Sequence, residues 1–263
     1  MRALLGGVIQ RSAYLAHCGP LGLDELHCMN TPTEQGVRYD ARHAAAYDRK
    51  IRQLIPGYEA LHMLSAHVLA EQLPEQARIL VSGSGSGEEV LRYAQMRADW
   101  LVDGVDPSAE MHCVAEAKCR EAGIDHRIKL LQGRPDDLTL GNGYDAVTSL
   151  LVMHFLPDDG SKDRYLHALA MALRPGGVLL LADWVGQRGE ADCEAMFRVW
   201  RRQQDATRDR PDQVALDFSH LDQHVYPVSA QRRAALLAQT GLTAGACYWQ
   251  ALGLSAIVAY KRA

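Results

Sequence analysis

Three alternating glycines follow a short apolar run near residue 80 of this 263-residue chain. The apolar run predicts a strand over residues 79–82, and a helix is predicted over residues 88–96. Gly83, Gly85 and Gly87 stand between the two. Glycine has no Cβ, so it tolerates unusual backbone angles and lets a ligand come close to the main chain. A parallel strand that delivers such a loop to a helix N-terminus builds a nucleotide-shaped site, although a tight turn without a ligand has the same pattern.

An acidic residue follows the next predicted strand. That strand covers residues 100–105, Asp106 comes at its end, and a helix is predicted over residues 109–122. Asp106 is placed to cap this helix, with Pro107 at the first helical position. A carboxylate at this point also accepts hydrogen bonds from ribose hydroxyls, in dinucleotides and in S-adenosylmethionine alike. The residues alone leave both cofactor classes and the plain helix cap open.

The composition is typical of one sizeable folded core without a strongly charged partner. Hydrophobic residues make up 48% of the chain, and the formal net charge is −4, which gives no electrostatic reason to expect nucleic acid. The six cysteines have no CxxC pair, so we expect reduced thiols and a cytoplasmic location. His17-Cys18 and His27-Cys28 lack compact ligand spacing. We therefore expect no metal site, and no apolar stretch is long enough to predict a membrane span.

Strands and helices alternate through the middle of the chain, which predicts a doubly wound parallel sheet. Further strands are predicted over residues 128–132, 146–151, 178–182, 246–249 and 254–260, and further helices over residues 162–173, 190–207 and 230–240. Residues 208–226 are polar and predict an irregular segment. Two more helices are predicted before the sheet, one over residues 37–55 and one opened by Pro56. We expect four parts: a weakly patterned arm (1–36), a helical cap (37–75), an α/β domain (76–263) and, within that domain, a lid insertion (185–228).

The order of these features resembles the class I S-adenosylmethionine-dependent methyltransferases over about residues 37–263. The shared features are the glycine-rich first turn, the acid after the second strand, the Leu173-Arg-Pro-Gly-Gly177 segment before the fifth strand and two late strands. The resemblance implies a Rossmann-like seven-stranded sheet, S-adenosyl-L-methionine as cofactor, a small-molecule acceptor and a homodimer. A nicotinamide dehydrogenase fits less well because its fingerprint is GxGxxG, whereas the spacing here is GxGxG.

Two segments resemble a narrower group, the carboxy-S-adenosylmethionine synthases that serve tRNA wobble-uridine modification. They are Tyr47–Tyr58, which ends in Pro-Gly-Tyr, and Cys247–Lys261. This likeness implies that Tyr58 reaches over the methionine part of the cofactor. A half-buried packing role is the alternative for that tyrosine.

The chain departs from these families at two places. Val81 stands where methyltransferases carry an acid two residues before the first glycine. The synthases also use an arginine to hold the extra carboxylate of their product, and that place falls near Phe218. No arginine lies between Pro211 and Gln231, and a buried carboxylate without a cationic partner is costly. Ordinary methyl transfer is therefore favoured over the synthase alternative, unless an arginine such as Arg38, Arg42 or Arg52 supplies the charge.

The resemblance implies a set of cofactor contacts: Tyr58, Gly83, Gly85, Gly87, Asp106, Pro107, Met111, Arg134, Asp136, Leu150 and Leu151. Asp106 would bind the ribose, and Met111 would lie near the adenine. Arg134 stands where family members place an acid against the adenine amino group, so Asp136 is the next candidate for that contact. Leu150 and Leu151 would face the methionine part.

Two candidate residues for binding the acceptor, His154 and Trp184, follow the predicted fourth and fifth strands, and two more lie in the helical segments outside the sheet. A sulfonium methyl group is already electrophilic, so the protein mainly aligns the acceptor and excludes water. A base is needed only when the acceptor must lose a proton. His154 is the candidate for that base or for a substrate contact, and Trp184, Tyr39 and Tyr226 are the other substrate-contact candidates. Structural histidine and tryptophan roles stay open, as does a non-catalytic module that only binds the cofactor.

Overall fold

The computed structural model describes residues 41–262, with side chains from residue 48 onward. The helices of this part are α1 (Ala41–Leu54), α2 (Tyr58–Gln72), α3 (Glu88–Met96), α4 (Ala109–Glu121), α5 (Ser161–Ala172), α6 (Ala191–Thr207), α7 (Pro211–His224) and α8 (Ala230–Gln239). The strands are β1 (Arg78–Ser82), β2 (Leu101–Asp106), β3 (Ile128–Gln132), β4 (Tyr144–Leu150), β5 (Leu173–Trp184), β6 (Leu242–Ala251) and β7 (Leu254–Lys261). No helix within residues 41–262 has both the length and the apolar character that crossing a bilayer requires.

The strands form one seven-stranded sheet in the order β3-β2-β1-β4-β5-β7-β6. The first five strands of that order run parallel, and β7 lies antiparallel between β5 and β6. This arrangement confirms the predicted doubly wound, seven-stranded Rossmann-like fold. The strand order reverses between β1 and β4, so a crevice opens at their carboxyl ends, where open α/β sheets bind ligands.

The sheet separates two apolar cores because alternate residues of each strand point to opposite faces. In β1, Ile79 and Val81 belong to the core that includes residues of α2, α3, α6 and α7, whereas Leu80 belongs to the core with α5 and α8. Leu180 and Leu181 divide between the two cores in the same way. The central strands are therefore covered on both sides, as a parallel sheet requires.

The helices before the sheet pack against the inserted helices. Leu61 and Leu69 of α2 are fully buried. The indole nitrogen of Trp200 in α6 donates to the carbonyl oxygen of Leu54 in α1 at 2.7 Å. The buried carboxylate of Asp217 in α7 pairs with Lys50 of α1 at 2.6 Å. Together these contacts form one layer over the β1–β4 region of the sheet.

One segment predicted as irregular is a helix. Residues 208–226 contain α7, with Pro211 in its first turn, where a missing N–H costs nothing. Val214, Phe218 and Leu221 are buried, and their helical spacing gives the apolar stripe. The polar residues between them concealed that stripe in the sequence.

Three smaller expectations also need correction. Ser108, rather than Asp106, is the N-cap of α4, and its side chain accepts from the amide of Met111 at 3.1 Å. The strand β6 is longer than the predicted residues 246–249. Most of its residues are exposed at the edge of the sheet, so its sequence lacks the alternation of apolar and polar residues that would have marked the whole strand. The Arg-Pro-Gly-Gly turn lies within β5, at a register shift opposite Tyr144 and Ala146.

Candidate functional site

The glycine loop turns sharply after β1 and delivers the chain to α3. Gly83, Gly85 and Gly87 all have left-handed backbone conformations, with φ of 73°, 49° and 88°. Residues other than glycine rarely adopt this region. A Cβ on Gly83 would lie 2.4 Å from Cγ2 of Val152, and one on Gly87 would lie 3.0 Å from Cβ of Ala115. Gly85 has open space instead, with its nearest atom 4.0 Å away. The loop therefore needs glycine for close packing at two positions and leaves room for a ligand at the third.

Asp106 fixes this loop from the end of β2. One carboxylate oxygen accepts from the amide of Gly85 and the other from the amide of Ser108, each at 2.9 Å. The residue is only 9% exposed. Burial raises its pKa above the usual 3.8, and the two amide hydrogen bonds oppose that shift. The carboxylate is thus held rigidly at the sheet edge, with lone pairs left to accept further hydrogen bonds.

A cleft opens at the carboxyl ends of β1 and β4. It encloses about 380 Å³ of empty space, part of it open to solvent. The lining residues are Tyr58, His62, Gly83, Ser84, Gly85, Ser86, Glu88, Glu89, Leu150 and Leu151. Leu151 has a left-handed φ of 62°, and its amide donates to Ala182 of β5 at 2.7 Å. Such strain in a non-glycine residue is often found at functional sites.

Tyr58 and His62 form the wall of the cleft that α2 supplies. Tyr58 begins α2 after Gly57, and its ring lies 4.2 Å from the His62 ring between centroids. His62 is 4% exposed, and neither of its nitrogens has a hydrogen-bond partner within the described residues. Burial lowers the pKa of His62 to about 4. His62 is therefore neutral near pH 7, and its unpartnered nitrogens lie at the cleft.

Glu89 is a further buried polar group of the cleft, and like His62 it did not emerge from the sequence. One carboxylate oxygen, Oε2, accepts from Oγ1 of Thr148 at 2.6 Å and from the hydroxyl of Tyr93 at 3.1 Å. Burial raises its pKa from 4.5 to about 8, against the lowering effect of these hydrogen bonds. A glutamate in the first turn of a helix resembles an ordinary N-terminal acid, so only the packing of α3 on β4 identifies it.

The variant Glu89→Gln is expected to remove a pH-dependent loss of stability. The folded protein keeps a proton on Glu89 up to about pH 8, whereas the unfolded chain releases it near 4.5, so the free energy of unfolding falls as pH rises between these values. His62 has the opposite effect: between about pH 4 and 6.5 the free energy of unfolding rises with pH, because the unfolded chain binds the extra proton there. The window from pH 6.5 to 8 therefore isolates Glu89.

Urea unfolding across that window measures the effect. The wild-type midpoint should fall with rising pH, and the midpoint of the Glu89→Gln variant should fall less. Parallel profiles for the two proteins would contradict the assignment of a proton to buried Glu89.

His154 lies on the other side of β4, in the short turn after Val152. Its Nδ1 is 3.1 Å from Oδ1 of Asp183, close enough for an ion pair but not aligned as a hydrogen bond. Its backbone amide donates to the same carboxylate oxygen at 3.0 Å. The histidine is 6% exposed and is not among the residues that line the cleft. Asp183 thus fixes the turn that carries His154.

The other substrate candidates are more dispersed. Trp184 stacks on Trp200 with 5.1 Å between ring centroids and meets Phe197 at 5.5 Å, so its indole is part of an aromatic cluster with α6. Tyr226 is 40% exposed, and its amide donates to the carbonyl oxygen of His154 at 2.7 Å. Tyr39, together with the His17-Cys18 and His27-Cys28 pairs, lies outside the described residues.

The predicted adenine side is organised by an ion pair. The guanidinium of Arg134 contacts both carboxylate oxygens of Asp136 at 3.2 Å, just after β3. Met111 is 2% exposed and lies in the first turn of α4, which begins shortly after Pro107. The structure thus places these residues near the carboxyl ends of β2 and β3, beside Asp106, and the carboxylate of Asp136 already has a cationic partner.

Fold and loop together define a nucleotide-binding α/β protein of the Rossmann-like class. Residues 79–177 match the family model described as a methyltransferase domain. Among curated proteins, the carboxy-S-adenosyl-L-methionine synthase of Campylobacter concisus is 25% identical over 152 residues, which cover 58% of this chain and 63% of that protein. The match thus spans less than two thirds of that relative. Residues 79–177 are thus similar to a methyltransferase domain, and the chain as a whole is similar to proteins that bind or use S-adenosylmethionine.

Solved structures agree on the fold. The mitomycin 7-O-methyltransferase has a TM-score of 0.57 at 20% identity, with 86% of this chain and 61% of that chain covered. A SAM-dependent methyltransferase from Methanosarcina mazei has a TM-score of 0.56 at 17% identity, with coverage of 74% and 97%. At these identities the likeness concerns the architecture alone.

The described residues fit S-adenosylmethionine, the cofactor of the class I methyltransferases. The Asp106 carboxylate suits ribose hydroxyls, the open face of Gly85 suits close approach of a ligand, and the cleft carries unpartnered His62 nitrogens. None of the residues that line the cleft is lysine or arginine, which suits a ligand with a sulfonium cation.

Proposed function

We propose that this chain transfers a methyl group from S-adenosylmethionine to a small-molecule acceptor. The observation that carries the proposal is the Asp106 carboxylate bonded to the amide of Gly85 at the end of β2, next to a cleft at the strand-order reversal. A carboxylate and a glycine loop in this arrangement suit the ribose of an adenosyl cofactor. The methyltransferase domain over residues 79–177 supports the reaction class.

The residues of the chain contribute mainly by position. When bound, the cofactor supplies a sulfonium-activated methyl group. Asp106 would orient the ribose, and Tyr58 would cover the methionine side. Leu150 and Leu151 would form an apolar floor that excludes water from the transfer path. The protein then needs to bring the acceptor atom into line with the methyl group.

His154 is the proposed proton acceptor for acceptors that must lose a proton. The carboxylate of Asp183 lies beside Nδ1, which favours a proton on that nitrogen and leaves Nε2 as the basic atom. For the histidine to reach an acceptor, the acceptor must enter from the β4–β5 side. Tyr226 and Trp184 are the proposed contacts on that side. Tyr39, which lies outside the described residues, is a further proposed substrate contact.

We propose that the helices within residues 37–75 and the insertion over residues 185–228 act as a lid, since α1 and α6 contact each other through Trp200. The chain is proposed to be cytoplasmic and homodimeric. Free Cys113, Cys119, Cys193 and Cys247 support a reducing compartment, and the homodimer rests on family likeness.

A carboxy-S-adenosylmethionine synthase is the second candidate function, favoured by the relatives of that name. A carboxylated cofactor needs a cationic partner, and none of the cleft-lining residues supplies one. The guanidinium of Arg52 is paired with Glu88 at 2.5 Å. The charge pattern of the cleft therefore favours methyl transfer.

Native mass spectrometry of freshly purified protein, followed by turnover with a panel of phenols, amines and thiols, tests the proposal. We expect bound S-adenosylmethionine or S-adenosylhomocysteine, and acceptor-dependent release of S-adenosylhomocysteine that falls in a His154→Ala variant. A bound carboxylated cofactor would assign the synthase activity instead. Cofactor binding without turnover on any acceptor would favour a non-catalytic module.

A further inference from the structure

The cleft contains two adjacent glutamates with different surroundings. Glu88 is half-buried and pairs with Arg52 at 2.5 Å and Arg92 at 2.6 Å, so its charge is balanced within the protein. Glu89 is 4% exposed, and its hydrogen-bond donors, Thr148 and Tyr93, are both neutral. An ionised carboxylate this deeply buried requires a cation, and the described residues supply none.

The position of Glu89 also explains the unusual first strand. Val81 pairs in register with Thr148 across β1 and β4, and the carboxyl group of Glu89 bonds to Thr148. Glu89 therefore places its carboxyl beside the site where an acid on Val81 would have been. It reaches that site from α3 and lines the same cleft as Gly83.

His62 provides the complementary group. Its two nitrogens are buried at the cleft without partners in the described part of the chain. A neutral imidazole offers one donor and one acceptor. A ligand with an ammonium and a carboxylate on the same carbon would satisfy both the carboxyl of Glu89 and the donor of His62.

We propose that Glu89 is a proton-exchanging counterion for the amino-acid end of the bound cofactor, with His62 as the donor to that end's carboxylate. The inference rests on the proposed function. Glu89 holds a proton in the free protein and releases it to solvent when the ligand ammonium enters. The ionised carboxylate and the ammonium then form an ion pair. Both residues are positioning residues and take no part in methyl transfer.

Cofactor binding should consequently depend on pH. Burial raises the pKa of Glu89 to about 8 in the free protein, and an adjacent cation would lower it. The charged and titratable groups around Glu89 are Glu88 and Tyr93 on α3, Tyr58 and His62 on α2, Tyr165 on α5 and Tyr248 on β6. His62 titrates near 4 and the tyrosines well above neutrality. Among those of these groups that have a shifted pKa, Glu89 is the one that titrates near neutral pH.

The experiment is a calorimetric titration of the full chain with three probes: S-adenosylmethionine, S-adenosylhomocysteine and 5′-methylthioadenosine, which lacks the amino-acid end. We expect the first two to bind with release of nearly one proton near pH 6.5, seen as a buffer-dependent enthalpy, and to tighten about tenfold per pH unit up to about 8. Binding of 5′-methylthioadenosine should change little with pH.

Two variants localise the effect. Glu89→Gln should weaken the two amino-acid-bearing probes about tenfold to hundredfold at pH 8 and remove the proton release. His62→Phe keeps a ring against Tyr58 and should weaken the same two probes. Both variants should spare 5′-methylthioadenosine. Glu116→Gln, on the exposed side of α4, is the matched control and should bind all three as the wild type does.

The proton release of the wild-type protein needs no variant, so a misfolded variant leaves the test intact. Binding of S-adenosylmethionine without proton release, or equal weakening of all three probes by Glu89→Gln, would overturn the inference and leave the proposed function standing. Failure of all three probes to bind would overturn the proposed function itself, and this inference with it.

Discussion

Replacing Asp106 by alanine is expected to weaken S-adenosylmethionine binding on the order of 100-fold, the combined effect of hydrogen bonds to a charged group. The substitution removes the proposed ribose acceptor and also the anchor of the Gly85 amide, which the carboxylate holds at 2.9 Å. The N-cap of α4 is Ser108, so the helix itself should keep its start. The loss should therefore concern binding far more than folding.

Calorimetric titration of the variant with S-adenosylmethionine, beside a thermal unfolding curve without ligand, separates these effects. Asp99→Ala is a suitable control because Asp99 is an exposed acid paired with Arg97 at the surface. Unchanged affinity in the Asp106→Ala protein would refute the ribose assignment.

Replacing Gly83 by alanine should abolish measurable cofactor binding and destabilise the fold. The added Cβ would lie 2.4 Å from Cγ2 of Val152, and φ at this position is 73°, so crowding and backbone strain act together. Overpacking of this kind costs about 1–3 kcal/mol, and a left-handed φ adds roughly 1 kcal/mol. Movement of the loop into the cleft would relieve the clash at the expense of the ligand.

Two further variants separate crowding from strain. Gly123→Ala places alanine at a similar φ of 67° with no atom within 4 Å of the new Cβ. Its stability should therefore fall only by the cost of backbone strain, and it should bind S-adenosylmethionine normally. Adding Val152→Ala to Gly83→Ala should restore part of the stability lost by Gly83→Ala. If urea unfolding showed the same loss of stability for Gly83→Ala and Gly123→Ala, crowding against Val152 would not contribute to the effect at Gly83.

The fold was predictable where local signals agree with packing. The helix over residues 88–96 and the strand over residues 128–132 have the predicted bounds, because a glycine loop and a short apolar run each mark their ends. The α7 helix was missed because its buried residues, Val214 and Phe218 among them, are separated by polar ones. In that segment the tertiary contacts of the helix outweigh its polar composition.

The candidate site was only partly predictable, for a related reason. The roles of Gly83 and Asp106 follow from neighbouring residues, since backbone geometry and strand ends are local properties. Glu89 and His62 become notable only through burial, and burial depends on how α2 and α3 pack on β4. A sequence pattern cannot distinguish a helix acid in water from one whose pKa is raised to about 8 by burial.

Calorimetric titration of the purified wild-type chain with S-adenosylmethionine and, separately, with NAD(H) tests directly which cofactor the glycine loop and Asp106 bind. We expect saturable binding of S-adenosylmethionine at one site per chain, and no heat of binding with NAD(H). Binding of NAD(H) alone would contradict this expectation, because the glycine loop and Asp106 would then serve a dinucleotide.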